Sequence, residues 1–285
     1  MDDKKTIILN SVNNEAVAVK GHRLSDIVEF NEEAVKALLK SKVMGNSIKF
    51  FDTVISTNDE ARNIGFDGAK EGTVIVAKKQ TGGRGSKGRS WMSADGEGIF
   101  CSVITRPDID FGFVPVITLI AGLSVCRALR RVTKTDALIK WPNDIVINGK
   151  KICGILSESY TTGVGVDFVV TGIGINCDNK KFEGELESIA TSVMIETGEK
   201  ISKAQLLAQV LNEFEKDYSA FIKYGFEALY DDYKALSAVI GKKVRITGKE
   251  NYDAEVVDIR KSGELVVIVN GKERDVYANE VSLRF

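Results

Sequence analysis

A series of short apolar segments, separated by turns, most constrains what this chain can fold into. The strand-like runs lie at residues 73–79, 98–104, 139–147, 152–159 and 167–176. The stretch between the second and third runs instead carries its apolar residues on one helical face. Such a strand-rich region needs helices to cover its sheet, so the pattern predicts a mixed β-sheet in an α+β domain.

Helical patterns flank this series of strands. Asn31 is a good N-cap residue for a short apolar-periodic segment, and Thr57 and Glu60 have the spacing of a capping box. Residues 203–224 have the periodicity of a long amphipathic helix. These segments are expected to pack around the sheet.

The pattern changes after about residue 236. Short alternating strands follow one another with turns between them, and Asn270–Gly271 is typical of a tight hairpin, like Asn148–Gly149 earlier in the chain. The sequence therefore predicts an N-terminal extension (1–44), a main domain (45–235) and a small all-β module (236–285).

Composition excludes several classes of protein. The 39 basic and 40 acidic residues nearly cancel, which argues against a dedicated nucleic-acid coat or polybasic membrane binder. The N-terminus does not resemble a signal peptide. No apolar stretch is expected to reach the roughly 20 residues that span a bilayer, and we predict a cytoplasmic protein.

Cysteine and histidine usage limits the chemistry. Four widely spaced cysteines without a CxxC pair are expected to be buried, reduced thiols. His22 is the only histidine in the sequence. A zinc site and a Ser–His–Asp triad are therefore both disfavoured.

The stretch "QTGGRGSKGRSW" (80–91) suggests an anion site. From Gly83 onward it differs by one residue from a Walker A pattern, but turn-forming residues follow where a P-loop needs a helix. Its glycines let backbone N–H groups approach a ligand, and Arg84, Lys87 and Arg89 can neutralise phosphate or carboxylate oxygens. A basic surface loop is the alternative.

Two further stretches allow both a functional and a structural interpretation. Lys140 directly precedes a proline that interrupts a strand, so it either points rigidly into a pocket or extends from an edge strand. Gly172 and Gly174 resemble the start of a dinucleotide fingerprint, but Cys177 stands at the third glycine position. Their bare sheet face can accommodate a flat ligand or a closely packed helix.

Taken together, these motifs resemble the biotin–protein ligase family over roughly residues 45–285. The resemblance rests on Ser56-Thr57-Asn58, Gln80, Gly83-Arg84-Gly85-x-x-Gly88-Arg89-x-Trp91, Lys140-Trp141-Pro142-Asn143-Asp144 and Gly172-Ile173-Gly174-Ile175-Asn176. It implies a class II synthetase-like fold with a central mixed sheet flanked by helices, and a C-terminal SH3-like β-barrel.

The family resemblance also implies a reaction. Biotin and ATP would form biotinyl-5′-adenylate with Mg²⁺, and biotin would pass to a lysine of a biotin carboxyl carrier domain of acetyl-CoA or pyruvate carboxylase. The enzyme would be a monomer or homodimer. A lipoate or octanoate ligase of the same fold is the first alternative, and a biotin-responsive regulator with weak catalysis is the second.

The resemblance assigns roles to individual residues. The residues implied to bind biotin are Ser56, Thr57, Asn58, Gln80, Gly83, Arg84, Gly85, Trp91, Lys140, Gly172 and Gly174. Those implied to contact ATP or the adenylate are Arg84, Ser86, Lys87, Arg89, Trp91, Asn143 and Asn176. Lys140, Arg84 and Asp144 are implied to be catalytic, and no resident metal site is expected.

The sequence departs from the family pattern in two places. Ser86 stands where many of these ligases have arginine, which predicts weaker retention of the adenylate. The extension 1–44 is shorter than the winged helix-turn-helix of repressor-type members, although 17–24 resembles its final wing strand. Specific DNA binding is therefore not expected.

Overall fold

The computed structural model describes residues 29–92, 96–163, 165–248, 250–278 and 282–284. Its strands are β1 (Ser47–Val54), β2 (Thr73–Gln80), β3 (Gly98–Thr105), β4 (Leu138–Lys140), β5 (Asp144–Ile147), β6 (Lys150–Tyr160), β7 (Phe168–Asn176), β8 (Lys243–Thr247), β9 (Asn251–Ile259), β10 (Leu265–Val269), β11 (Lys272–Val276) and β12 (Ser282–Arg284). Its α-helices are α1 (Glu32–Lys36), α2 (Thr57–Phe66), α3 (Val114–Thr133), α4 (Leu186–Ile189), α5 (Val193–Thr197), α6 (Lys203–Tyr224) and α7 (Tyr230–Ala235).

The first seven strands form one mixed sheet in the order β1-β2-β3-β7-β6-β5-β4. β1 and β2 are parallel, and the other neighbours are antiparallel. Every residue of the central strand β3 is buried, because helices cover both of its faces. The long helices α3 and α6 pack together against the larger core, while α2 packs with Phe168 over the opposite face. This arrangement confirms the predicted mixed sheet flanked by helices.

The predicted helices and hairpins are confirmed in outline and corrected in detail. Asn31 caps α1 through its side chain, but the helix ends at Lys36. The N-cap of α2 is Ser56, and its hydroxyl makes no capping bond. Thr57 is therefore the first helical residue, so the expected Thr57 capping box was wrong. Asn148 has the positive φ of 51° that its predicted tight turn requires.

Helix α3 corrects the expectation that no apolar stretch is long enough to span a bilayer. Together with the short 3₁₀ turn before it, residues 111–133 form one helical segment whose length and apolar composition meet that criterion. Within the protein, 67% of its apolar window is buried. Its apolar residues cover the central sheet, as expected for the core helix of a large domain.

The C-terminal strands form a separate antiparallel sheet in the order β11-β10-β9-β8-β12, which confirms the small SH3-like module. Asn251 begins β9 and pairs with Thr247 of β8. The buried Trp141 connects the module to the main domain, since its indole Nε1 donates to the Gly263 carbonyl at 3.0 Å. The tryptophan before the proline thus serves packing between the two sheets.

Candidate active site

A cavity lies over the middle of the large sheet, where the loop after β2 crosses the face that also carries α2. Its walls are Ser56, Thr57, Asn58, Gln80, Arg84, Gly85, Ser86, Trp91, Asn143, Lys151, Gly154, Ile155, Leu156, Gly172, Ile173 and Gly174. The free space inside it is only about 40 Å³. Pockets for cofactor-sized ligands are several times larger. A ligand of that size therefore requires some of these side chains to move.

A polar network forms the wall at the start of α2. Gln80 accepts from the backbone N–H of Thr57 at 2.8 Å and from its hydroxyl at 3.1 Å. Ser102 donates to Asn58 Oδ1 at 2.7 Å, and its oxygen lies 2.8 Å from the Thr57 hydroxyl. Ser56, Thr57 and Asn58 are all nearly fully buried. Hydroxyl and amide groups held this rigidly suit a ligand with several donors and acceptors.

Gly172 makes room for part of this network. A methyl group on Gly172 would lie 2.2 Å from Asn58 Oδ1, closer than any real contact. The Asn58 amide nitrogen donates to the Leu156 carbonyl and, at 2.6 Å, to Glu158. The glycine therefore lets helix α2 bring an anchored amide against the sheet. This matches the packing alternative that the sequence left open.

Gly154 and Gly174 are directly paired across β6 and β7, and Trp91 covers both of them. Methyl groups there would lie 2.7 Å and 2.6 Å from the indole ring. The expected bare face is thus filled by the protein's own side chains. The buried Trp91 Nε1 has no hydrogen-bond partner among the described residues. An unsatisfied donor of this kind favours binding of a polar acceptor in the cavity.

Lys151 is a cavity residue that the sequence analysis missed. A β-bulge pairs Val146 with Lys151 directly after Ile145 pairs with Cys153, so one residue of β6 is unopposed. In a regular strand, residues three apart face opposite sides, but the bulge brings Lys151 onto the same face as Gly154. The position of a bulge is not evident from an apolar segment, so no sequence signal singled out this lysine.

The ammonium group of Lys151 is held between two side chains. Its Nζ lies 2.6 Å from Asp144 Oδ1 and 5.2 Å from the centre of the Trp91 ring. The contact with Asp144 is a close ion pair, but Nζ and Oδ1 are not aligned as in a hydrogen bond. Oδ1 is therefore a buried atom without a hydrogen-bond partner among the described residues. The two charges still attract each other, since charge attraction does not depend on the hydrogen-bond angle.

Lys140, the predicted catalytic lysine, lies beside the cavity and is not among the residues that line it. Lys140 is the last residue of β4. It pairs with Asp144, which pairs in turn with Gly154, so these three residues form one cross-strand row at the sheet edge. The lysine among the lining residues is Lys151. Two lysines thus lie at this wall, and the catalytic role of Lys140 stays a prediction.

The glycine-rich loop folds back on itself over the cavity. The Gly85 N–H donates to the Arg89 carbonyl at 2.7 Å, and the Trp91 N–H donates to the Gly83 carbonyl at 2.8 Å. Arg89 donates from Nε to the carbonyl and from Nη2 to the hydroxyl of Ser86, at 3.1 and 2.9 Å. The loop is thus a small hairpin with its own hydrogen bonds, rather than an unstructured basic segment.

The other predicted contact residues divide into two groups. The predicted residues that line the cavity are Ser56, Thr57, Asn58, Gln80, Arg84, Gly85, Ser86, Trp91, Asn143, Gly172 and Gly174. Those that do not are Gly83, Lys87, Arg89, Lys140, Asp144 and Asn176. Asn176 is buried and donates to the Thr191 carbonyl at 2.9 Å, which gives its amide a structural contact.

The titratable groups limit the possible reaction types. Burial raises the pKa of the Cys101 thiol to about 12 and that of Cys153 well above its usual range, so neither is a ready nucleophile. No cluster of three or more metal-ligating side chains occurs among the described residues. Burial, followed by the charge of Arg89, lowers the pKa of Lys87. The site therefore favours positioning and charge neutralisation over covalent catalysis.

Three comparisons with known proteins agree with this geometry. Residues 50–176 match the profile of the biotin/lipoate A/B protein ligase family. The chain is 36% identical over 273 residues to the bifunctional ligase/repressor BirA of Bacillus subtilis, covering 94% of this chain and 84% of that protein. It is 31% identical to a biotin–[acetyl-CoA-carboxylase] ligase of Paracoccus denitrificans, covering 74% of this chain and 90% of that protein. The biotin protein ligase of Aquifex aeolicus, solved with biotin and ATP, superposes with a TM-score of 0.75 at 26% identity, covering 84% of this chain and 99% of that one.

Proposed function

The chain belongs to the biotin/lipoate A/B protein ligase family, and we propose that it is a biotin–protein ligase that works through an acyl-adenylate. Biotin and ATP would give biotinyl-5′-adenylate and pyrophosphate. The biotinyl group would then pass to the amino group of one lysine on a carrier domain, releasing AMP. A relative named a ligase for acetyl-CoA carboxylase supports a carboxylase as the acceptor.

The observation that carries this proposal is the composition of the cavity walls. One wall offers the buried hydroxyl and amide groups of Thr57 and Asn58, which suit a neutral, hydrogen-bonding ring. The walls also offer the cations of Arg84 and Lys151, which suit a carboxylate and then a phosphate. A molecule with both a polar ring and an acid group fits these walls.

Lys151 and Arg84 would stabilise charge in the adenylation step. The substrate carboxylate attacks the α-phosphorus, a bond to the carboxyl oxygen forms, and the bond to pyrophosphate breaks. Negative charge accumulates on the phosphoryl oxygens during this exchange, and fixed cations lower its energy. Arg89 and Lys87 on the loop are proposed to contact the phosphate from the outer side, with Ser86 and Asn143 beside it.

Mg²⁺ with ATP fits the residues present. Mg²⁺ needs only one or two protein carboxylates when phosphates supply the remaining oxygens. Asp144, the carboxylate paired with Lys151, is the candidate ligand. The ion would neutralise phosphate charge. Asp144 is also proposed to orient or deprotonate the incoming amine in the transfer step, as the family resemblance implies.

A regulatory function is the second candidate. The Bacillus subtilis relative is named a ligase and repressor, and the match extends over 94% of this chain. Residues 1–28, which include the predicted wing strand, lie outside the described residues. The expectation that this chain does not bind DNA specifically remains a prediction.

Pyrophosphate exchange with two acids tests the proposal. We expect the enzyme to exchange labelled pyrophosphate into ATP when biotin is present and not when lipoate or octanoate replaces it. Exchange with lipoate alone would identify the chain as the other kind of ligase in this family. Exchange with neither acid would contradict the proposal.

A further inference from the structure

Arg84 is held by two carboxylates through a single nitrogen. Its Nη2 lies 3.0 Å from Asp59 Oδ1 and 3.1 Å from Glu158 Oε2. Among the described residues its Nη1 and Nε donate no hydrogen bond, although Arg84 lines the cavity. One edge of the guanidinium is thus fixed by the protein, and the other remains available to a ligand.

Glu158 joins the two halves of the cavity wall. Alternate residues of a strand lie on the same face of the sheet. On β6, Glu158 comes two residues after Leu156 and four after Gly154, so all three lie on the cavity side. Besides Arg84, Glu158 accepts from the Asn58 amide at 2.6 Å. A single carboxylate therefore connects α2 with the glycine-rich loop.

Among the described residues, Arg84 is the cation that pairs with Glu158. Asp59 shares its Oδ1 between Arg84 and, at 3.6 Å, Arg62. Burial is the largest cause that raises the pKa of Tyr160 on the same strand, and the charge of Glu158 is the second. The charges of Arg62 and Arg84 lower that pKa. Glu158 thus depends on Arg84 for a counter-charge, and Arg84 depends on Glu158 for its orientation.

We propose that Glu158 is a positioning residue for biotin and adenylate binding, which aims the free edge of Arg84 at the substrate carboxylate. Asp59 assists by holding the same nitrogen. The inference rests on the proposed function, since it assumes that Arg84 meets that carboxylate. It predicts that removing the Glu158 charge weakens binding of the acid and leaves the binding of ATP nearly unchanged.

The test uses Glu158→Gln, which keeps an oxygen for the Asn58 amide and removes the charge. In biotin-dependent pyrophosphate exchange we expect the KM for biotin to rise about fivefold and kcat to fall, because Arg84 also acts in the adenylation step, with the KM for ATP within about twofold; the effect is modest because the pair is partly exposed. The matched control is Glu273→Gln. That glutamate also shares an arginine, Arg260, with a second carboxylate, but it lies in the C-terminal sheet.

A double variant separates positioning from a general structural role. In an Arg84→Ala background, Glu158→Gln should cause no further rise in the KM for biotin, because its effect passes through Arg84. A further rise of the same size would show that Glu158 acts through Asn58 or the fold, and would overturn the proposal. An unchanged or lower KM in the single variant would also overturn it. Wild-type enzyme without biotin-dependent exchange would instead contradict the proposed function itself.

Discussion

Arg84 and Arg127 are each bound by two carboxylates, and their surroundings differ. Arg84, at the cavity, uses one nitrogen for both acids and leaves its side chain 40% exposed. Arg127, between α3 and α6, uses one nitrogen for Asp217 and the other for Asp232. Asp217 is fully buried, and Ser124 donates to its second oxygen at 3.0 Å.

The difference separates a structural ion pair from the one proposed to be functional. Around Arg127 both Nη nitrogens and both oxygens of Asp217 have partners, and the Arg127 side chain is only 19% exposed, so this cluster offers little to a ligand. Around Arg84 the pairing is incomplete on the side of the cavity. Incomplete pairing costs stability in the free protein, and it is found where a ligand completes it. Substitutions should therefore affect folding in one cluster and kinetics in the other.

Lys151→Ala should give the largest effect, and it should be purely kinetic. Its loss removes a fixed cation from the cavity, which typically lowers the rate about 10²–10³-fold. Biotin-dependent pyrophosphate exchange measures it, with Lys150→Ala as the matched control, because Lys150 is the preceding residue of β6 and does not line the cavity. We expect less than a tenfold loss in the control. An equally large loss for Lys150→Ala would show that the effect is not specific to the cation in the cavity.

Asp217→Ala should give the next largest effect, on stability alone. It leaves the partly buried Arg127 with only Asp232, and breaking a buried pair on one side costs about 3 kcal/mol. Urea unfolding measures the loss, and the KM for biotin of the folded variant should not change. A variant of normal stability with a raised KM would contradict the division between the two clusters.

Gly172→Ala should disturb the site with a smaller effect. The added methyl group would lie 2.2 Å from Asn58 Oδ1, so the amide must leave its position between Ser102 and Glu158. We expect the KM for biotin to rise about tenfold, equivalent to about 1.4 kcal/mol. Gly112→Ala, where an added methyl meets nothing within 4 Å, is the control. An unchanged KM would show that Asn58 does not contact the substrate.

Glu215→Gln should lower stability in a pH-dependent way. Burial raises the pKa of Glu215, but the backbone N–H groups of Lys42, Met44 and Val43 outweigh it and lower the pKa below 4.5. A lowered folded-state pKa contributes stability above the unfolded pKa, and this contribution disappears as the pH falls through the folded value. We expect a loss of about 1 kcal/mol at pH 7 that shrinks below pH 4.5. An equal loss of stability at pH 7 and below pH 4.5 would refute the electrostatic origin of this effect.

Ser86→Arg should have the smallest effect. An added guanidinium near the phosphate would slow adenylate dissociation, but the Arg89 guanidinium already lies beside Ser86. The loop is exposed, so we expect the off-rate of bound adenylate to fall only about two- to fivefold. Equal off-rates in the two proteins would show that Ser86 does not weaken retention.

Several parts of the site were predictable because they depend on local chemistry. Gln80 and Arg84 follow a strand in a stretch whose glycines and cations already indicated an anion site, and both line the cavity. The fold class followed from the spacing of apolar segments. The tight turn at Asn148–Gly149 followed from residues that adopt positive φ.

The remaining parts depend on contacts between distant segments. Lys151 reaches the cavity only because of a β-bulge in the pairing with β5, which has no signature in its own strand. The face over Gly174 is filled by Trp91, which comes from a loop more than eighty positions earlier in the chain. Thr57 was mistaken for a helix cap because its partner, Gln80, lies on another strand.

Direct capture of the adenylate tests the central claim that the cations of this cavity activate biotin's carboxylate. Enzyme incubated with α-labelled ATP, Mg²⁺ and biotin should form labelled biotinyl-5′-adenylate, and adding a carrier domain should convert it to AMP and biotinylated carrier. The Lys151→Ala variant should form it at least a hundredfold more slowly, about the loss expected for one fixed charge. Biotinylation of the carrier without any labelled adenylate, or undiminished adenylate formation in Lys151→Ala, would contradict the account.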